Sequence, residues 1–420
     1  MTYFENVKKC ITCHAGNRDA YQLSLALYEN NLLDTLITDF YTPDFARHLL
    51  NKRYNKNLPS RKVISLWGNV IGQKLFKVSY AVSDARLSDY AVKKALQKHS
   101  HLFLSSYTAY EAFKIIKSQG LKNRCLLFQL HPHPLSIRKI FEEEIFLVPL
   151  AKDSLLGELE MNEDETVRNR LISESILADS CVVASSFTKE TLIENGIPAH
   201  KITVIPYGVD ALQFPAKKEY SPDNGCLNLI FVGQMIQRKG LYYLLEAVVR
   251  LNNPKVILTI VGRGSIDQNL LDNYKSSPNI QIKTNLSHSE LVKEFHSSDV
   301  LIFPSLVEGF GQVILEAMSS GLPVICTPNT AGRDLFTSGK EGMIVPIRDI
   351  DVLIAKIEWC RNNKVELGDM GREAARTARI FTWNKFRASI VDFYRSKTAD
   401  STMVGNTPAK KTNLLRKRID

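Results

Sequence analysis

The sequence predicts an α/β protein built from two Rossmann-like domains, and three observations carry that prediction. Short apolar runs that read as buried strands alternate with stretches of helical spacing through both halves of the chain. A segment rich in Pro, Lys and Ser at 214–224 separates the halves. Residues 300–325 then show the repeating unit most clearly. Val300 to Phe303 form a strand, Gly309 and Gly311 lie in a loop, and Val313, Ile314 and Ala317 recur at helical spacing.

The first half opens with a short apolar strand at 9–13, a loop around Gly16, and a helix carrying Tyr21, Leu23, Leu25, Ala26 and Leu27. Strands follow at 33–39 and 102–106. Between them, apolar positions recur every three or four residues among lysines, from Arg61 through Ile71, Leu75, Phe76 and Val78 to Tyr80. This spacing suits a helix, either facing the core or lying in a membrane interface. The strand at 124–130 ends in His131-Pro132-His133-Pro134, where the prolines forbid a helix and hold an extended turn. Both imidazoles then stand at a strand's carboxyl end, where open parallel sheets bind ligands, or serve only to stiffen the turn. No third ligand accompanies them, so a metal is not expected there. Residues 139–165 hold nine acids against two lysines and read as a solvated helical face. Strand, helix and strand over 174–210 close the domain.

The second half begins with the strand 227–233, ending at Gly233, and a helix opened by Arg238-Lys239-Gly240. A planar guanidinium beside a point charge at a strand's carboxyl edge suits a diphosphate. The strand at 256–261 leads to Gly262-Arg263-Gly264, which lacks the third glycine of a dinucleotide fingerprint. After Ile280, Leu286 and a helix through Leu291 and Phe295 comes the glycine loop. That loop delivers free N–H groups and a positive helix end to one place, and Glu308 and Glu316 bracket it.

Composition sets limits on function. An apolar share of 44% over 420 residues is ample for large cores. Seven scattered cysteines make no disulfide framework and place the chain in a reducing compartment, with Cys10 and Cys13 as buried members of the first strand. No run reaches the ~18 apolar residues of a membrane span, and residues 1–9 lack a signal-peptide core, so any membrane contact is peripheral. The net charge of +10 is uneven: residues 47–124 hold 16 Lys and Arg against three acids, +13, which leaves −3 elsewhere. That block calls for an anionic partner such as a membrane surface. No recognition helix, zinc module or aromatic platform points to nucleic acid.

Phe303-Pro304-Ser305, Glu308-Gly309-Phe310-Gly311, Glu316-Ala317-Met318 and Gly321-Leu322-Pro323-Val324-Ile325 together resemble the E-x7-E region of retaining glycosyltransferases of family 4, on the GT-B fold. The resemblance is specific over 171–383 and diffuse before that. It implies two Rossmann-like domains facing each other across a cleft: an acceptor-side domain at 1–209 completed by a helix at 381–395, a linker at 210–225, a nucleotide-sugar donor domain at 226–380, and a flexible basic tail at 396–420. It also implies transfer of a hexose from a nucleoside diphosphate sugar, with retention, to a hydroxyl of a glycan or lipid-linked acceptor. Arg238 and Lys239 would hold the diphosphate with the Gly309, Phe310 and Gly311 backbone. Glu308 would hold sugar hydroxyls and Glu316 the ribose, and Leu286 would flank the base. Gly233 and Gly262 complete the donor-binding set. His131 or His133, with His133 nearer the tip, would lie by the donor sugar. The family often carries two adjacent glycines where this chain has Gly16 alone. Without an Asp-x-Asp at a strand tip, neither metal nor cofactor is expected. The setting implied is cytoplasmic, with access to the inner face of the cytoplasmic membrane. A nucleotide-sugar-binding scaffold without catalysis and a dinucleotide-dependent oxidoreductase are the rival classes.

Overall fold

The structure, a computed structural model, describes residues 7–48, 53–69, 72, 77, 79–162, 164–220, 225–262, 270, 272–274 and 277–399. In the first half the apolar runs become Cys10–Cys13 (β1), Leu33–Thr38 (β2), Val63–Ser65 (β3), His101–Ser105 (β4), Cys125–Gln129 (β5), Ser180–Val183 (β6) and Ile202–Val204 (β7). They form one parallel sheet in the order β3-β2-β1-β4-β5-β6-β7. In the second half Leu227–Val232 (β8), Val256–Gly262 (β9), Ile280–Thr284 (β10), Val300–Phe303 (β11), Val324–Cys326 (β12) and Gly342–Ile344 (β13) form a parallel sheet in the order β10-β9-β8-β11-β12-β13. Strands such as β1, β4, β5 and β11 are buried along their whole length, as a sheet covered on both faces requires.

In both sheets the strand order reverses beside the first strand, between β1 and β4 and between β8 and β11. Loops leaving the carboxyl ends of such neighbours diverge and leave a crevice, so each domain has one place built to receive a ligand.

The helices are Gln22–Glu29 (α1), Tyr80–Lys98 (α2), Tyr110–Ser118 (α3), Pro134–Leu147 (α4), Lys152–Leu156 (α5), Glu165–Leu177 (α6), Ser186–Glu194 (α7), Leu241–Leu251 (α8), His288–Ser297 (α9), Gln312–Ser319 (α10), Gly332–Leu335 (α11), Ile350–Asn362 (α12), Lys364–Ala378 (α13) and Trp383–Thr398 (α14). Although last in sequence, α14 packs into the core of the first domain through Phe386, Ile390, Val391, Phe393 and Tyr394. Tyr394 Oη donates to the Lys8 carbonyl at 2.5 Å.

Four sequence expectations change. Val63–Ser65 is an edge strand paired with β2, not part of a helix, because Val63 and Ile64 extend the sheet. Ile71, Leu75, Phe76 and Val78 of that stretch lie outside the described residues, as do 221–224 of the linker and 400–420 of the tail. The chain at 396–398 is the end of α14 rather than tail. Pro134 does not prevent a helix but starts one, at the first helical position where its missing N–H costs nothing.

The fourth change concerns the acidic stretch at 139–165, which is a solvated face only in part: Glu142, Glu143, Asp153, Asp164 and Glu165 are exposed, whereas Glu144 and Glu160 are buried. Glu144 is fully buried between the domains. Its carboxylate accepts from Gln237 Nε2 at 2.6 Å, Tyr243 Oη at 2.9 and 3.0 Å, and Arg348 Nε at 2.7 Å, all from the second domain. Around it Val148 and Ala151 pack with Tyr243 and Leu306, and Ile137, Phe141 and Leu155 pack with Val307. The α4–α5 region is thus a bridge that fixes one domain against the other.

Candidate active site at the interdomain cleft

Two loops of the second domain, one after β8 and one after β11, leave adjacent strand ends and join: Leu306 N donates to the Arg238 carbonyl at 2.9 Å. This places Glu308 against the Arg238-Lys239 pair. Its Oε1 accepts from Lys239 Nζ at 2.5 Å, Arg238 Nη1 at 3.0 Å and Ser305 Oγ at 3.0 Å. The side chains are 8% exposed for Glu308, 12% for Lys239 and 21% for Arg238, so the pairing is shielded from solvent and strong. Burial pulls the Glu308 carboxyl upward, but Lys239 and Arg238 outweigh it and hold the group below the usual carboxylate range. The Lys239 ammonium is pushed down, chiefly by burial, against the pull of Glu308. Arg238 Nε also donates to Glu158 Oε1 at 3.0 Å, a carboxylate supplied by the first domain. Two cations are thereby matched by two carboxylates, one from each side of the cleft.

Gly309 is needed for a reason other than ligand approach. A Cβ there would lie 1.9 Å from the Leu130 carbonyl oxygen of the first domain. The Gly309 carbonyl in turn accepts from Ser185 Oγ at 2.7 Å and Thr188 Oγ1 at 3.2 Å. Asp334 holds Ser186 through its backbone N at 2.8 Å and through its hydroxyl. The glycine loop is therefore also a seat for the first domain. Gly311, at φ 85°, turns the chain in the left-handed region and opens α10, whose first N–H groups are unspent by the helix.

Glu316 lies in the second turn of α10 and borders the larger cleft cavity, about 990 Å³, with Asn17, Asp19, Arg53, Glu308 and Gly311. Burial pushes its carboxyl up to about 7. Phe310, also on this wall, is buried with its ring 5.0 Å from Tyr207. An adjoining cavity of about 960 Å³ is lined by Gly16, Arg53, Asp84, Tyr107, Glu158 and Gln234. Arg53 lines both.

The remaining sequence candidates are divided by the structure. His133, favoured as the exposed tip, is buried as the N-cap of α4: its Nδ1 accepts from Leu135 N at 3.3 Å. Burial first, then His131, push it down to about 4. Neither histidine lines a cavity, but the His131 ring lies 4.5 Å from that of Tyr107, which does, and its Nδ1 is 4.0 Å from Glu160 Oε1. Gly16 does not face the larger cavity, and its N–H is spent on Asp39 Oδ1 at 2.9 Å. Gly262 packs so closely that a Cβ would lie 2.4 Å from the Gly233 carbonyl, which gives both a packing role. Leu286 is half-buried against the second-domain core and lines neither cavity. Asp39, Arg53, Tyr107, Glu158 and Glu160 enter the site unannounced. Only Asp39, at the end of a strand, carried a positional signal.

Two Rossmann-like domains whose ligand-receiving crevices face each other define the GT-B class. Sucrose-phosphate synthase from Thermosynechococcus elongatus superposes on 93% of this chain and 99% of its own with a TM-score of 0.68 at 17% identity. HepE from Anabaena, in complex with UDP-glucose, superposes on 93% and 100% with a TM-score of 0.61 at 16% identity. Within that class, residues 215–378 match the family model described as glycosyl transferases group 1. The matched residues span the second domain and include Arg238, Lys239, Glu308 and Glu316. The glycogen synthase of Mycobacterium tuberculosis is 28% identical over 236 residues, 54% of this chain and 56% of that protein, so the chain spans a little over half the length of this relative.

Proposed function

We propose that this chain is a retaining glycosyltransferase of family 4 that moves a hexose from a nucleoside diphosphate sugar to a hydroxyl of a glycan or lipid-linked acceptor. The observation that carries the proposal is Glu308 clasped by Arg238 and Lys239 at the strand-order reversal of the second domain, with Glu316 one helical stretch further along the same cleft wall. The chemistry asks for stabilisation of a leaving diphosphate and of a sugar that becomes cationic, so contacts stronger in the transition state matter most. Arg238, Lys239 and the amides at the start of α10 meet the first need. As the diphosphate takes the two cations, Glu308 exchanges them for hydroxyls of the donor sugar, placing its negative charge near the developing positive one. Glu316 accepts the ribose hydroxyls. His131 borders the place where the sugar changes hands, and the donor site works without a metal.

The acceptor-side domain touches anionic membrane through exposed cations such as Arg61 and Lys98, on the inner face of the cytoplasmic membrane. Among the described residues no helix is long and apolar enough to cross a membrane.

The test is a screen of UDP-, GDP- and ADP-sugars for slow donor hydrolysis without added metal, with the anomer first released read by NMR. Hydrolysis of one of them with retention is expected. Inversion would remove the family 4 assignment, and nucleotide binding with no turnover on any donor or acceptor would favour a scaffold.

A further inference from the structure

We infer that Arg53 is a phosphate-binding residue that the first domain contributes to the cleft, a role that rests on the glycosyltransferase proposal. Among the described residues Arg53 is the one cation that lines both cleft cavities. Its backbone stands at φ 56°, in the left-handed region that a long side chain rarely adopts, so its surroundings hold it there against a local cost. Its side chain is 39% exposed, yet it is anchored: Nη1 donates to Asp39 Oδ2 at 2.8 Å, and Asp39 is 9% exposed.

Asp39 is itself fixed. Its Oδ1 accepts from Gly16 N at 2.9 Å, Phe40 N at 2.8 Å and Thr38 Oγ1 at 3.1 Å. Burial pulls its carboxyl upward, but the Gly16 N–H and Arg53 outweigh it and hold the group low. Among the described residues Asp39 is the one hydrogen-bond partner of the Arg53 guanidinium. A buried, immobile carboxylate therefore holds one edge of a planar fork and leaves the other N–H groups for the cleft. This arrangement orients a guanidinium toward an anion rather than merely satisfying it. It also gives Gly16 a place in the site, acting through Asp39.

Charge decides the ligand class. Arg238 and Lys239 are matched by Glu308 and Glu158, so the second domain offers a diphosphate no unspent positive charge until those carboxylates move. Arg53, on the opposite wall, is paired with Asp39 along one edge only, so its remaining N–H groups can meet a phosphate without that carboxylate moving. The phosphate has two possible sources, the leaving diphosphate of the donor or a phosphate on the acceptor, and the same fork fits both.

Calorimetry on the full chain with UDP, GDP, ADP, inorganic pyrophosphate and a hexose 1-phosphate tests the inference, for the native chain, Arg53→Gln and Arg53→Lys. Thermal melting checks that each variant folds. Loss of one charge-assisted fork is expected to weaken the bound phosphate compound about 10- to 100-fold in Arg53→Gln, with Arg53→Lys in between. Weakening of the nucleoside diphosphate identifies the donor as the source. Weakening confined to the hexose 1-phosphate identifies the acceptor. If the native chain binds no nucleotide, the glycosyltransferase proposal fails, and pyrophosphate decides alone: affinity lost in Arg53→Gln supports the phosphate site. Affinities for all five compounds within twofold of native in both variants, or no binding of any of them by the native chain, overturn it.

Discussion

Removing Arg348 should break the bridge between the domains. Its Nε donates to Glu144 Oε2 at 2.7 Å, its Nη1 to Glu143 Oε2 at 2.9 Å, and its Nη2 to the Ile140 carbonyl at 2.8 Å. The Glu143 contact is half-exposed and contributes little, whereas Glu144 has no exposed surface. Arg348→Ala leaves the Glu144 charge buried with only Gln237 and Tyr243 donating to it. Stranding a buried charge costs about 3–5 kcal/mol, and two surviving neutral donors offset about 1 kcal/mol of that, so the expected loss is about 2–4 kcal/mol. Urea unfolding followed by tryptophan fluorescence measures it. Because the cost arises from the stranded charge, Arg348→Ala should be milder by at least about 1 kcal/mol in a Glu144→Gln background. A loss below about 1 kcal/mol, or an equal loss in both backgrounds, would refute the view that this buried pair fixes the domains.

Two further outcomes follow. With its carboxyl pushed to about 7, Glu316 keeps a proton in the folded chain that the unfolded chain releases above the ordinary carboxylate value. The stability linked to that proton is fully present below 4.5 and lost as pH rises through 7. Glu316→Gln lacks this loss, so its unfolding midpoint should gain on the native chain from about pH 5 to about pH 8, and a constant difference would contradict the shift. Membrane attachment predicts that Arg61→Ser with Lys98→Ser reduces flotation on anionic vesicles, since each such cation contributes about 1 kcal/mol at the surface. Arg53, Lys56 and Lys62 are unsuitable for that test, because Arg53 and Lys56 line the cleft and Lys62 Nζ donates to the Leu33 and Asp34 carbonyls. Unchanged flotation would remove the membrane proposal.

The parts legible in the sequence share a property: their signal is local. The apolar runs of β1, β4, β5 and β11 are buried on both faces and read as strands without help from distant residues. Gly309, Gly311, Glu308 and Glu316 fall within nine consecutive residues, so their spacing alone suggested a loop and helix around a ligand. What escaped depends on partners far along the chain. Glu144 and Glu158 look like solvent-facing acids until Arg348 and Arg238, about 200 and 80 residues later, supply their counter-charges. Arg53 was one basic residue among 16, and only its pairing with Asp39 turns it to the cleft. His133 misled for the converse reason: proline after it signalled an exposed turn, while the same proline opens a helix that uses the imidazole as its cap.

In the proposed mechanism Glu308 acts on the reacting end of the donor and Glu316 on its nucleotide end. The most direct measurement compares nucleoside diphosphate affinity, by calorimetry, with kcat at saturating donor for Glu308→Gln and Glu316→Ala. Glu308→Gln should lower kcat by about 10²–10³, the scale for one preorganised electrostatic contact, while changing nucleotide affinity far less. Glu316→Ala should raise the donor KM and weaken free nucleotide while leaving kcat largely intact, because a ribose contact is alike in ground and transition states. Near-native kcat in Glu308→Gln, together with abolished kcat in Glu316→Ala at saturating donor, would contradict the claim and reverse the roles of the two carboxylates.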